Sequence, residues 1–209
     1  MSQYPDITVS YFDLTGKAEP TRLAFVIGGI PFRDERIQAQ DWAQTKPQTP
    51  FGQLPTITVD GVIYAQSLAM LRYAGRLSGL YPNDPLQALK VDMVVDQIED
   101  ILVHINPVFR LPDPYKKMEL IEDFVTNKLP KPCFLLDQYI GKQGSGFCVG
   151  SSLTIADLFL HSLASVFKLR RIAGFPIDAL DSYTNIGIVF QNVHSHPKVI
   201  EWNETHTKR

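Results

Sequence analysis

The sequence is poor in the features that would tie it to an oxidising compartment, a membrane or a polyanion. Cys133 and Cys148 are its two cysteines, and they form no C-x-x-C. Two thiols so placed supply no disulfide framework, so a reducing, cytoplasmic setting is expected. No run approaches the about 18 apolar residues of a membrane span. The first residues mix charged and polar side chains, with no apolar core of a signal peptide. Net charge is only −2, which gives no electrostatic reason to expect nucleic acid or an acidic membrane surface. Repeats and low-complexity segments are absent. His194 and His196 stand just before Pro197 without further ligands converging in sequence, so this stretch reads as the start of a helix and no metal site is expected. What remains is an ordinary globular composition, 44% hydrophobic over 209 residues, enough for one large domain or two small ones.

The first 80 residues alternate between strand and helix periods. Ile7 to Phe12 alternates apolar and polar as a half-buried strand does. Ala18 to Ile27 has helical spacing, and Gly28-Gly29 supply a stop. Phe32 to Ile37 reads as a second strand. Thr56 to Val59 and Val62 to Tyr64 flank Asp60-Gly61, a strong hairpin turn. Ser67 to Leu77 then reads as a helix. Gly79 to Pro85, with Pro82, Asn83 and Asp84, is a linker. Beyond it the patterns are helical: Leu86 to Phe109, Tyr115 to Ile140 broken or kinked by Pro130 and Pro132, Ile155 to Arg171, Asp181 to Val193 and Lys198 to Thr205. The expected fold is α+β, with a small α/β domain over residues 1–80 and an all-helical domain over 86–209. Thr154 and Asp157 have capping-box spacing, with Leu153 and Leu158 as a hydrophobic staple. Asp157 is therefore read as a folding residue and not as an acid catalyst.

Two features near position 50 suggest ligand chemistry. Phe51-Gly52-Gln53-Leu54-Pro55 offers a backbone-pairing edge, and Gln66-Ser67 opens a helix whose start suits a carboxylate. Tyr11 ends the first strand pattern. Together they suggest a small peptide held while a tyrosine hydroxyl acts on it. The same residues, with Tyr11-Phe12, Gly16-Lys17-Ala18-Glu19, Trp42, Lys46 and the Thr154-to-Asp157 cap, occur in this order in the cytosolic glutathione transferases. The chain resembles the sigma class most, with pi and alpha close, from about residue 6 to residue 203.

That resemblance implies a thioredoxin-like first domain and glutathione as co-substrate, with no other cofactor. It implies that Tyr11 is catalytic. A free thiol titrates at about 8.5 and is mostly protonated at neutral pH. A hydroxyl donating to the sulfur favours the thiolate. Lowering the thiol by about 2 units corresponds to roughly 3 kcal/mol. Pro55 is implied to be cis, with the Leu54 backbone pairing to the cysteinyl unit as an added strand. Ser67 and Gln66 are implied to hold the γ-glutamyl group, and Lys46 and Trp42 the glycine carboxylate, with Gln53 beside them. Lys17 departs from the pattern, since many sigma-like members carry there an arginine that assists thiolate formation. Lysine keeps the charge but loses the planar fork.

Asp92, Asp96, Glu99 and Asp100 share one face of the long helix, which by itself reads as a solvated stripe. The resemblance assigns Asp100 to the γ-glutamyl amine of glutathione bound by a partner subunit, and Phe51 to a homodimer interface. It places an electrophile pocket at Phe12, Val103, His104 and Pro107. The favoured reading is a transferase acting on small apolar electrophiles. The alternatives are a glutathione-dependent isomerase or peroxidase acting on lipids, resembling the prostaglandin D synthases, and a non-catalytic ligand-binding or crystallin-like relative. The absence of tryptophan near Pro107 speaks against the first, and the retained glutathione set against the second.

Overall fold

The computed structural model describes residues 3–169 and 173–206, with the side chains of residues 109 and 110 left aside. The chain forms two compact units, one made of residues 1–82 with 196–209 and the other of residues 83–195.

The first unit is built on a four-stranded sheet. Its elements are β1 (Ile7–Phe12), α1 (Glu19–Gly28), β2 (Arg33–Ile37), α2 (Trp42–Thr45), β3 (Thr56–Val59), β4 (Val62–Ala65) and α3 (Ser67–Ser78). The order is β2-β1-β3-β4, with β1 parallel to β2 and the other two pairings antiparallel. This is the thioredoxin-like arrangement implied by the sequence. Local chemistry explains the boundaries. Pro20 falls in the first turn of α1, where its missing N–H costs nothing. Gly29 ends α1 in the left-handed region at φ 67°. Asp60 and Gly61 both take positive φ, 48° and 83°, the condition for a two-residue hairpin turn whose twist matches the strands. The core under the sheet includes Ile7, Val9, Leu23, Phe25, Ile57, Met70 and Leu71.

The second unit contains α4 (Pro85–Val103), α5 (Asn106–Arg110), α6 (Pro114–Asp123), α7 (Pro130–Gln143), α8 (Ile155–Lys168) and α9 (Thr184–His194). Asp84 caps α4 by accepting the Gln87 N–H at 2.8 Å. The single helix expected from Leu86 to Phe109 is instead two, because Pro107 has no N–H to give and its ring clashes with the carbonyl one turn earlier. The expected break near Pro130 is present. A π-helical turn, Phe124–Lys128, ends the first segment, and both prolines sit in the first turn of α7. Helix α8 is buried on nearly every side, as its continuous apolar sequence requires. The expected continuation to Arg171 lies outside the described residues. Phe124, Phe167 and Phe175 form an aromatic cluster with centroids 5.4 to 6.4 Å apart.

The last helix, α10 (Pro197–His206), packs with the first compact unit, although it lies within the sequence range expected for the helical domain. Trp202 donates to Glu19 Oε1 at 2.9 Å, Lys198 Nζ to the Ile27 carbonyl at 2.9 Å, and the Trp202 ring lies 5.8 Å from Phe32. Helical periodicity marks the face that is buried but not the element that buries it.

Candidate functional site

Sheet register gathers the candidate residues. The β1–β3 ladder ends at Ser10↔Thr56 and the β3–β4 ladder at Thr56↔Ala65. The next residues along these three strands are Tyr11, Pro55 and Gln66, so all three come together at one end of the sheet. The Leu54–Pro55 bond is cis, as the resemblance implies. Gln66 takes φ 77° and ψ 104°, a region rarely used by a residue with a Cβ. This bends the chain sharply from β4 into α3. Gln66 is itself the N-cap of α3, and its side chain makes no capping bond. Ser67 is the first residue inside the helix, where N–H groups have no intrahelical acceptor.

Tyr11 is held by the loop that follows β1. Its hydroxyl oxygen accepts the backbone N–H of Lys17 at 3.5 Å. Gly16, at φ 42°, lets that loop close over the ring. A Cβ on Gly16 would stand 2.8 Å from both Cε1 and Oη of Tyr11 and 2.5 Å from Leu14 Cδ1. The bond from residue 17 is a main-chain bond, so exchanging arginine for lysine there leaves it intact. The Arg22 guanidinium carbon lies 5.9 Å from the Tyr11 ring centroid. Burial raises the Tyr11 phenol above its ordinary value, and the Lys17 N–H bond and the Arg22 charge offset this only in part. The hydroxyl therefore keeps its proton through neutral pH and has that proton to offer in a hydrogen bond.

The loop from residue 42 to 53 joins this end of the sheet through aromatic contacts. Phe12 lies 5.7 Å from Tyr11 and edge-on to Trp42 at 5.6 Å. Lys46 lays its stem along the next turn, with Cε 3.4 Å from the position a Cβ on Gly52 would take. Trp42 is half-buried, Lys46 and Gln53 are exposed, and Pro55 is buried. The remaining candidates lie in the second unit. Asp100, Val103, His104 and Pro107 are all exposed, at the C-terminal end of α4 and the start of α5.

Two groups fall outside the site. Burial pushes the Cys133 thiol up to about 12, with Asp137 adding to the shift, and pushes Cys148 well up too. Neither is a nucleophile at neutral pH. Asp157 Oδ2 accepts the Thr154 N–H at 2.7 Å and its hydroxyl at 2.8 Å, completing the expected capping box. Its Oδ1 takes the Cys148 N–H at 2.6 Å, a long-range bond the spacing did not reveal.

Arg22 is the residue missed in sequence. It is fully buried on the apolar face of α1. The available signal was an arginine amid Pro20, Leu23, Ala24 and Phe25 with Glu19 three positions earlier.

Comparison with known proteins agrees with this geometry. The family model described as "Glutathione S-transferase, C-terminal domain" matches residues 99–206. Glutathione S-transferase 1 of Ascaris suum is 35% identical over 202 residues, covering 95% of each chain. The hematopoietic prostaglandin D synthase of Gallus gallus is 32% identical over 204 residues, covering 98% of each. A structure of rat hPGDS complexed with a quinoline superimposes with TM-score 0.88 at 26% identity, covering 98% of this chain and 99% of that one. With the family model covering more than half the sequence and the Ascaris relative nearly all of it, the chain belongs to the glutathione S-transferase family.

Proposed function

We propose that this protein activates the thiol of glutathione and conjugates it to small apolar electrophiles. The observation that carries the reading is the meeting of Tyr11, the Leu54–Pro55 turn and the start of α3 at one end of the sheet. The Leu54 backbone pairs with the cysteinyl unit as a further strand. Ser67 and Gln66, with the N–H groups at the start of α3, take the γ-glutamyl carboxylate. Trp42 Nε1–H, Lys46 and Gln53 take the glycine end. Tyr11 donates its proton in a hydrogen bond to the sulfur and keeps it. The thiol proton passes to solvent, and the thiolate attacks the electrophile. Lys17 adds positive charge beside the sulfur. This is stabilisation of developed charge by a fixed donor, with no covalent enzyme intermediate.

The finer features rest on the resemblance stated above. Within the family, Tyr11-Phe12 and the Gln-Leu-Pro and Gln-Ser pairs favour a sigma-like member. The protein works in the cytoplasm as a homodimer, away from nucleic acid and membranes. Asp100 reaches glutathione in the partner subunit, and Phe12, Val103, His104 and Pro107 line the electrophile pocket. Phe51, 64% exposed, inserts into the partner. Phe51→Glu then shifts the wild-type dimer towards monomer at micromolar concentration, read by elution volume. An unchanged volume removes Phe51 from the interface.

The decisive experiment follows thiolate absorbance of bound glutathione against pH in wild type and Tyr11→Phe, with conjugation of an aryl chloride in parallel. Wild type ionises glutathione below neutral pH. The variant binds it but loses both ionisation and rate. A wild type that binds glutathione without ionising it is instead a ligand-binding relative. The likeness to a prostaglandin D synthase over 98% of each chain supports a second reading, a glutathione-dependent isomerase or peroxidase acting on a lipid substrate. Turnover of that substrate faster than of aryl chlorides, epoxides and enones would select it.

A further inference from the structure

The hydrogen-bond chain that ties α10 to the first unit runs on to the reactive end of β1. Trp202 Nε1–H donates to Glu19 Oε1 at 2.9 Å. Arg22 Nη1 donates to Glu19 Oε2 at 3.2 Å and to the Leu14 carbonyl at 2.9 Å. Arg22 Nε donates to Asp34 Oδ1 at 2.8 Å, and Arg36 Nε to Asp34 Oδ2 at 2.6 Å. Arg36 also reaches the Leu14 carbonyl at 3.3 Å and Asp13 at 3.6 Å. Leu14 lies in the loop whose Gly16 covers the Tyr11 ring and whose Lys17 N–H meets the Tyr11 hydroxyl. One buried cation thus both fixes that loop and faces Tyr11 at 5.9 Å. Arg22 Nη2 is buried and has no hydrogen-bond partner among the described residues. Part of the guanidinium charge is left without a direct bond, and the carboxylates of Glu19 and Asp34 govern how strongly it acts on the phenol.

We propose that Glu19 and Trp202 are positioning residues for Tyr11, acting through Arg22, so that the last helix sets how well the phenol donates to the glutathione sulfur. The proposal rests on the transferase reading. Neither residue touches the substrate. The Trp202 N–H draws part of the Glu19 charge away from Arg22, which leaves the cation free to strengthen Tyr11 as a donor. The charged or titratable groups around this chain are Glu19 and Lys17, Asp34 and Arg36 on β2, Asp13 in the loop, and His206, whose ring stacks on Trp202 at 3.6 Å.

Two substitutions pull in opposite directions. Trp202→Phe keeps an aromatic ring against Phe32 but removes the N–H. The Glu19 charge then falls wholly on Arg22, the field at Tyr11 weakens, and the pH profile of kcat moves to higher pH. A shift of half a unit lowers kcat about threefold on the acid limb, with glutathione affinity unchanged. Glu19→Gln removes the charge opposing Arg22 and moves the profile to lower pH. A merely structural role moves both variants the same way and weakens glutathione binding with them.

The experiment records the pH dependence of bound-thiol ionisation and kcat for wild type and both variants. Tyr11 titration in the ligand-free protein is isolated by difference against Tyr11→Phe, and melting temperatures establish folding. Opposite displacements in the ionisation and in the Tyr11 titration support the proposal. Coincident profiles, or displacements of one sign, overturn it. If Trp202→Phe does not fold, Glu19→Gln alone decides by the sign of its shift. If wild type fails to ionise glutathione, the transferase reading fails by itself, and the Tyr11 titration still decides whether the last helix controls this phenol.

Discussion

Each unit buries a carboxylate, and the two do different work. In the second unit Asp157 closes on its own neighbourhood, taking two donors from Thr154 and the Cys148 N–H. In the first unit Glu19 sits between groups from different elements, the Trp202 indole on α10 and the Arg22 guanidinium on α1. Asp157 satisfies backbone that would otherwise be buried without partners. Glu19 holds a cation whose other contacts lead to Tyr11. A buried acid is therefore not by itself a sign of catalysis. What separates the two is where their hydrogen-bond chains end.

The strongest test of this contrast removes the end of the first chain. Tyr11→Phe lowers kcat on the order of 10²- to 10³-fold, as loss of one charge-stabilising donor does, and leaves the melting temperature near that of wild type. Steady-state kinetics with glutathione at saturation and a thermal melt read the two effects separately. The mirror experiment is Asp157→Ala, which costs about 3 kcal/mol because two backbone N–H groups lose a charged acceptor. Conjugation per folded molecule stays at the wild-type value. Denaturant unfolding beside active-fraction kinetics checks both, and lost turnover with unchanged stability would reverse the assignment.

Asp157 also has a pH signature. Burial raises its carboxyl above the ordinary value, more than its hydrogen bonds lower it. For a group raised in the folded state, its stabilising contribution is present at low pH and is lost as pH rises through the folded value. Wild type therefore gains stability relative to Asp157→Asn on moving from neutral towards mildly acid pH. An ion-paired carboxylate gives the opposite slope. Melting curves of the two proteins across that range read the sign directly.

A smaller effect is expected at Gly16. An alanine there takes an unfavourable positive φ and meets the Tyr11 ring and hydroxyl, so the ring shifts and kcat falls about tenfold. KM for glutathione changes little, because Gly16 itself makes none of the proposed contacts to the cysteinyl backbone, the γ-glutamyl group or the glycine end. Equal loss in KM and kcat would count against Gly16 as a shaper of Tyr11. The smallest effect is at the cysteines. Both thiols are buried and raised, so a thiol reagent at neutral pH labels neither in the folded protein and both on unfolding. Mass spectrometry before and after denaturation measures it.

Much of this arrangement is legible without coordinates. Asp60-Gly61 specifies a hairpin because both residues accept positive φ. Thr154 and Asp157 specify a cap by their spacing, and the Gly79-to-Pro85 stretch marks the region where the two units divide. The break at Pro107 was also available, since a proline within a long amphipathic pattern removes a helical hydrogen bond; reading through it gave one helix where there are two. The motif spacing pointed to Tyr11, the Leu54–Pro55 turn and Gln66-Ser67, because short-range backbone chemistry fixes such turns.

Other features depended on tertiary structure alone. The sheet register decided that Tyr11, Pro55 and Gln66 stand side by side, since residues up to 55 positions apart become neighbours only when strands pair. Packing decided that α10 joins the first unit and that Arg22 is buried between Glu19, Asp34 and Tyr11. By itself the sequence marked the strands, the hairpin turn and most of the helices, though not α2 or the break before Pro107, and it marked residues whose chemistry suits a small peptide and its thiol. Local propensity and side-chain chemistry act over a few residues. The partners of a buried charge are set by contacts between distant elements, which only the folded chain supplies.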